Sequence, residues 1–319
     1  MQHQDFWLNA TDGSALLVNH WHSESLPKAV VMIAHGMAEH SARYARLAES
    51  LVADGFAVYA LDQRGHGRTA ARGVLGHYAD SDGWSKVVGD LASLNHHIRQ
   101  QHPQAPIFLL AHSMGSYIGQ AYLMQHSCSL QGAILSGSNY QSPGLYKLAS
   151  LIARAERWRQ GPGGHSKLID FLSFGSFNKA FKPNRTAFDW LSRDPLEVDK
   201  YIHDPFCGHP CSNQLWIDLL GGMQYISQID NLAQIDSDLP LLVTGGSRDP
   251  VSQGKRLADL AGALRAAGIK DVQLQIYPDA RHEVLNESNR DEVTRHLHDW
   301  LNAALARSRT CPTPAQETL

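Results

Sequence analysis

Cysteine is scarce in this chain: Cys128, Cys207, Cys211 and Cys311 are the four in 319 residues. So few cannot staple a chain of this length, which excludes a small secreted disulfide scaffold. Cys207 and Cys211 lie close enough in sequence to suggest a metal or redox pair. No second CxxC-type pair accompanies them, so neither a metal nor a cofactor is expected. Long apolar runs are also missing. None reaches the roughly 18 residues that a membrane-crossing helix needs, so no span is expected. Charge of one sign is not in excess either: 28 Lys and Arg stand against 31 Asp and Glu, a net of −3, with no block of like charge. That argues against nucleic acid as the main partner, which calls for a basic face. The opening stretch MQHQDFWLNATDGS lacks a basic segment followed by an apolar core. A secretory signal is therefore not expected, and a cytoplasmic location is.

What is present is enough apolar surface for a large core, 43% of residues. Two short strands, DFWLNA and ALLVNHW, flank the turn signal TDGS. Apolar runs then alternate with helical spacing. AVVMIAHG precedes the helical RYARLAESLVADG. FAVYALDQRGHG precedes a helix with Val87, Val88, Leu91, Leu94 and Ile98 on one stripe. PIFLL precedes YIGQAYLMQH, and GAILSG follows. LPLLVTGG, VQLQIYPD and a closing helix with Val293, Leu297, Trp300 and Leu301 come much later. Such alternation predicts an α/β fold with a mostly parallel sheet covered on both faces. The rhythm breaks over 139–235, which holds helical patterns and aromatics but no clear buried strand. The expected organisation is a core in two parts, 1–138 and 236–306, a helical cap at 139–235, and a disordered tail at 307–319.

The segment LLAHSMGSY passes from a strand to a helix through Ser113. Its AHSMG matches the G-x-S-x-G nucleophile elbow if Ala111 replaces the first glycine. The turn is tight enough that positions two before and two after the serine must be small. A serine needs a base, and the base needs an orienting acid. In this architecture they follow in the order Ser, Asp or Glu, His, each beyond a strand. SRDPVS after LPLLVTGG offers Asp249, and ARHEVLNE after VQLQIYPD offers His282. Asp236, Asp238 and Asp279 are weaker rivals for the acid, because they precede a strand or sit nearer the histidine loop. An oxyanion hole needs two donors: the N–H of Met114, after the nucleophile, and that of Met37, after the His-Gly that ends an earlier strand. GHGRTA, from Gly65 to Ala70, resembles a dinucleotide fingerprint but follows an earlier βα unit, and Asp62 precedes it. Asp62, Arg64 and His66 are expected to brace that loop instead.

AHGMAEHSARY, LDQRGHGRT, LLAHSMGS, GSRDPVS and ARHEVL together resemble the α/β-hydrolase fold. Within it they resemble the bacterial lysophospholipase and monoacylglycerol lipase group, which stands with the serine aminopeptidase-like hydrolases. The likeness runs from Met1 to Ala306, and HGMAEHSARY is its most group-specific part. FDWLSRDPLEVDKYIHDPFCG also looks typical of bacterial members. The resemblance implies an eight-stranded sheet with an inserted cap. It implies Ser113, Asp249 and His282 as the triad, and Met37 and Met114 as oxyanion donors. Ala111 departs from the glycine that most relatives carry.

In the cap, YKLASLIARAERWRQ places Leu148, Leu151, Ile152 and Ala155 on one helical stripe. The preferred expectation is that this stripe packs on the core. The alternative is a basic amphipathic helix resting on a lipid surface, a transient contact peripheral to the membrane's inner face. Leu148, Ile152, Phe171, Phe174 and Phe177 are candidate substrate-binding residues, and Phe181 adds aromatic surface. An apolar cap over a serine triad favours esters with an acyl chain, and the resemblance implies a small-molecule lipid ester, a monoacylglycerol or lysophospholipid, cleaved through an acyl-enzyme. An aminopeptidase of the same architecture would use cap carboxylates such as Glu156, Glu197 or Asp199 to hold an α-amino group. A catalytically silent binding protein is the remaining alternative. Nothing in the sequence sets the oligomeric state.

Overall fold

The computed structural model describes residues 1–307. All but Arg307 of the tail expected at 307–319 lies outside the described residues. Eight strands form one sheet: β1 (Gln2–Asn9), β2 (Ala15–His22), β3 (Ala29–Ala34), β4 (Phe56–Leu61), β5 (Ile107–His112), β6 (Gly132–Ser136), β7 (Leu241–Gly246) and β8 (Val272–Tyr277). Their spatial order is β1-β2-β4-β3-β5-β6-β7-β8. The β1–β2 and β2–β4 pairs are antiparallel, and the other five pairs are parallel. Every residue of β3, β4, β5, β6 and β7 is buried. Strands buried on both faces carry continuous apolar runs, which is why these read so clearly in the sequence.

Helices cover both faces. Ile107, Leu109 and Ala111 of β5 share a core with α2 (Gly83–Gln101), α3 (Met114–His126) and α9 (Arg256–Ala266). Phe108 and Leu110 face the other way, onto α1 (Ala45–Ala53) and α10 (Arg290–Leu305). β5 thus runs through the middle of the molecule, and its C-terminal end is held from both sides.

The chain between β6 and β7 is helical: α4 (Pro143–Gln160), α5 (Lys167–Ser173), α6 (Pro195–His203), α7 (Asn213–Ile226) and α8 (Ile229–Leu232). α7 packs on α2 and α3 as well as on α4. Its Leu215, Leu219 and Met223 belong to the same apolar cluster as β5.

The expectation that the Leu148 stripe packs inward does not hold. α4 turns Tyr146, Ser150, Ala153 and Glu156 inward, while Leu148 and Leu151 are 59% and 58% exposed. Small Ser150 and Ala153 let α4 approach α7 closely, and the bulkier leucines are left on the outer side.

Candidate active site

Ser113 stands between β5 and α3 with φ 52° and ψ −121°, a conformation that L-residues rarely adopt. Several contacts hold it there. Its N–H donates to the Ser136 carbonyl at 2.8 Å, and its carbonyl accepts from the N–H and Oγ of Ser116 at 2.8 and 2.6 Å. Gly115 is required by space: a Cβ there would lie 2.3 Å from the Ala34 carbonyl oxygen. The strain lifts the serine side chain out of the strand and toward the loops beyond the sheet.

Two of those loops meet it. His282 Nε2 lies 2.8 Å from Ser113 Oγ, and His282 Nδ1 lies 3.0 Å from Asp249 Oδ1. Asp249 follows β7 and His282 follows β8, and both are buried. The structure thus brings Ser113, Asp249 and His282 into one hydrogen-bonded chain. Asp249 Oδ1 also accepts the Val251 N–H at 2.9 Å, which fixes the carboxylate. Burial opposes protonation of His282, but the charge of Asp249, its hydrogen bond, and the charges of Glu283 and Glu39 outweigh it and raise the pKa. The buried ring of His112 lies 4.8 Å from that of His282. Burial and the charge of His282 hold its pKa down to about 4, so it stays neutral beside the chain.

The loop after β3 presses against the serine. A Cβ on Gly36 would stand 2.7 Å from Glu39 Oε1 and 3.2 Å from Ser113 Cβ. Met37 follows in this loop, and Met114 is the first residue of α3. Neither backbone N–H donates to another group among the described residues. The loop is braced by a network to which the sequence reading gave no role. Glu39 Oε1 accepts the Gly36 N–H at 2.5 Å and the Tyr44 hydroxyl at 3.0 Å. Arg43 donates to Glu39 Oε2 and to both oxygens of Glu283, each at 2.7 Å. Burial alone would raise the Glu39 pKa, but the charges of Arg43, His112 and His35 and the Gly36 N–H bring it down to about 2. One guanidinium therefore ties the Met37 loop to the residue after His282. The signal was present in HGMAEHSARY, but its partner Glu283 lies 240 residues away.

The bracing expected from LDQRGHGRT is present. Asp62 accepts the Ser41 N–H and the Arg68 N–H at 2.9 and 2.8 Å, Arg64 pairs with Asp12 and Asp90, and His66 Nδ1 bonds the Arg64 carbonyl. Cys207 and Cys211 are free thiols rather than a pair, and Cys211 is buried.

Above Ser113 opens a cleft of about 570 Å³, walled by Met37, Phe171, Phe174, Phe188, Trp190 and Leu191. Phe171 and Phe174, two of the candidate substrate residues, line it. Leu148 and Ile152 do not: Leu148 faces outward from α4, and Ile152 is half-buried at the flank of its packed side. Phe177 stands behind the wall, edge-on to Phe174 and Trp190 at 5.6 and 5.0 Å. The Trp190 ring lies 5.2 Å from that of His282, so the aromatic wall reaches the hydrogen-bonded chain. Sequence reading did not single out Trp190 or Phe188, since nothing local distinguishes them from other cap aromatics.

A mostly parallel eight-stranded sheet, with a strained serine between a central strand and its helix, defines an α/β-hydrolase. The structure aligns with a thermostable carboxyl esterase from Bacillus coagulans in complex with glycerol, at TM-score 0.88 and 26% identity over 96% of this chain and 100% of that one. A monoacylglycerol lipase from Paleococcus ferrophilus aligns at TM-score 0.70 and 25% identity over 91% and 99%. Residues 25–289 match the hydrolase family described as serine aminopeptidase, S33, and the chain belongs to that family. It is an enzyme, a hydrolase. A monoacylglycerol lipase of Mycolicibacterium smegmatis is 30% identical over 91% of this chain and 93% of its own length. The Homo sapiens monoglyceride lipase is 27% identical over 95% and 92%.

Proposed function

We propose that this hydrolase cleaves monoacylglycerols through a Ser113-His282-Asp249 triad and an acyl-enzyme. The observation that carries the reading is the 2.8 and 3.0 Å chain from Ser113 through His282 to Asp249, set at the base of an aromatic cleft. Ser113 Oγ attacks the ester carbonyl while His282 Nε2 takes its proton. Asp249 holds the tautomer with Nδ1–H and stabilises the imidazolium. The N–H groups of Met37 and Met114 receive the oxyanion. His282 then protonates the leaving glycerol oxygen, and water repeats the sequence on the acyl-enzyme.

Two observations favour a neutral lipid ester over the alternatives. No lysine or arginine lines the cleft among the described residues, so nothing there is built for a phosphate head group. That favours a monoacylglycerol over a lysophospholipid. The three cap carboxylates weighed for an aminopeptidase do not line the cleft, although Asp170 does. Glu156 pairs with Arg159, Glu197 with Arg46 and Lys200, and Asp199 with Arg185. The two relatives described above are monoacylglycerol lipases by name, while others carry the name lysophospholipase L2.

The outer face of the cap supports a reading of how such a substrate arrives. Leu145, Leu148, Leu151, Trp158 and Leu168 are exposed, and Phe171 is both 62% exposed and part of the cleft wall. Apolar side chains on the outer face and at the cleft wall favour docking on a lipid surface. No described helix is long and apolar enough to cross a membrane. The test is a panel of monoacylglycerols and lysophospholipids of graded chain length, with an aminoacyl anilide beside them. Faster turnover of the anilide or of the lysophospholipids would overturn this assignment.

A further inference from the structure

Where the loop after β3 meets the segment between α6 and α7, three side chains of different chemistry converge. His40 follows Glu39, and Asp204 and Cys207 lie between α6 and α7. One ligand atom from each lies within 4.8 Å of the others, and His40 Nε2 is 2.8 Å from Asp204 Oδ2. Cys207 Sγ makes no hydrogen bond to a described residue. The thiol is half-buried against Tyr201, Trp190 and Leu191, so its place is fixed by packing. We propose that His40, Asp204 and Cys207 form a binding site for a thiophilic divalent cation of the Zn²⁺ class.

The donor set selects this class. Imidazole, carboxylate and thiolate suit a borderline-soft ion, whereas Mg²⁺ and Ca²⁺ prefer oxygen alone. Zn²⁺ takes such ligands tetrahedrally with bonds of about 2.0–2.3 Å. The ion replaces the His40–Asp204 hydrogen bond, the Cys207 thiol releases its proton to solvent, and water takes the fourth position. Charge permits it. The 2+ charge meets one carboxylate and one thiolate, and the neighbouring Arg43 is already balanced by Glu39 and Glu283.

The site lies on an existing seam. The Ala38 carbonyl accepts the Gly208 N–H and the Tyr201 hydroxyl, each at 2.9 Å. An ion on His40 and Cys207 adds a coordinate link to these two hydrogen bonds. It ties the loop after β3 to the Asp204–Gly208 segment more firmly.

The test uses the full chain freed of metal with a chelator, titrated with Zn²⁺ by calorimetry and with Co²⁺ by absorbance. One ion per chain, a cobalt–thiolate charge-transfer band and a raised melting temperature are expected. Cys207→Ser, His40→Gln and Asp204→Asn should each weaken binding at least tenfold, and Cys207→Ser should abolish the band. Far-UV circular dichroism identifies which of the three variants are folded. Ser113→Ala and His282→Gln should bind the ion as the wild type does, which keeps this test separate from that of the hydrolytic reading. Absence of a one-to-one complex overturns the proposal. So does wild-type affinity in any folded ligand variant, or loss of binding in His282→Gln.

Discussion

Ala111 and Gly119 share one space. Ala111 is fully buried at the end of β5, and a Cβ placed on Gly119 of α3 would stand 2.9 Å from the Ala111 methyl. The methyl that occupies the usual glycine position of the elbow is thus accommodated by a glycine one turn into the next helix. Gly119→Ala is expected to destabilise the fold by about 1–3 kcal/mol through overpacking. Adding Ala111→Gly should recover much of that loss. Denaturant melts of the two single variants and the double variant measure the coupling, and strictly additive effects would refute the shared space.

Ser113→Ala should lower kcat by roughly three to six orders of magnitude without changing the melting temperature appreciably. It should also abolish labelling by a fluorophosphonate probe. Labelling that persists in the variant would remove Ser113 from its proposed role.

His282 acts as base only when neutral. Its pKa is raised from an ordinary 6.5, so the acid limb of kcat/KM is expected above pH 6.5. Activity should rise with pH through that limb, because the imidazolium loses its proton there. Asp249→Asn removes the main charge that raises the pKa, so it should shift the limb downward while also lowering kcat. A limb that stays in place in the variant would contradict the Asp249–His282 coupling.

Glu39 holds the Gly36 N–H and half of Arg43. Glu39→Gln keeps the shape but loses the charge. It should reduce kcat roughly tenfold to a hundredfold, less than the loss of a whole oxyanion donor, with KM changing little. An effect confined to KM would show that Glu39 serves binding instead.

Leu148→Asp combined with Leu151→Asp should abolish binding to neutral lipid vesicles. Hydrolysis of a water-soluble short-chain ester should stay within about twofold, since surface substitutions of this kind change the fold little. Vesicle flotation and an ester assay separate the two. Unchanged flotation would remove the outer face of α4 from lipid docking.

The parallel strands were legible because burial on both faces leaves no polar residue to interrupt Val30–Ile33 or Phe108–Leu110. Ser113, Asp249 and His282 could be chosen because chain order and position after a strand are properties of the sequence. The direction of α4 was not legible. A 3.6-residue stripe shows that one side is apolar, but not whether protein or water covers it. Here small Ser150 and Ala153 won the packed side, which propensity and moment do not weigh. The Arg43 bridge and the meeting of His40 with Cys207 were hidden for another reason. Each joins segments that only the folded sheet and cap bring together.

The helical insertion leaves the sheet after β6 and returns at β7, and these strands are direct neighbours with Ser136 opposite Thr244. The two strands run parallel, so the insertion departs from the C-terminal end of β6 and re-enters at the opposite, N-terminal end of β7, crossing the height of the sheet on the way. It is tied to the site as it passes: the Trp190 and Leu191 carbonyls accept the His282 and Glu283 N–H groups, and Leu215 and Leu219 share the core of β5. The cleft wall and the histidine loop therefore form one mechanical unit. A graft of the 137–240 segment onto another sheet of the same topology would have to carry the His282 loop with it.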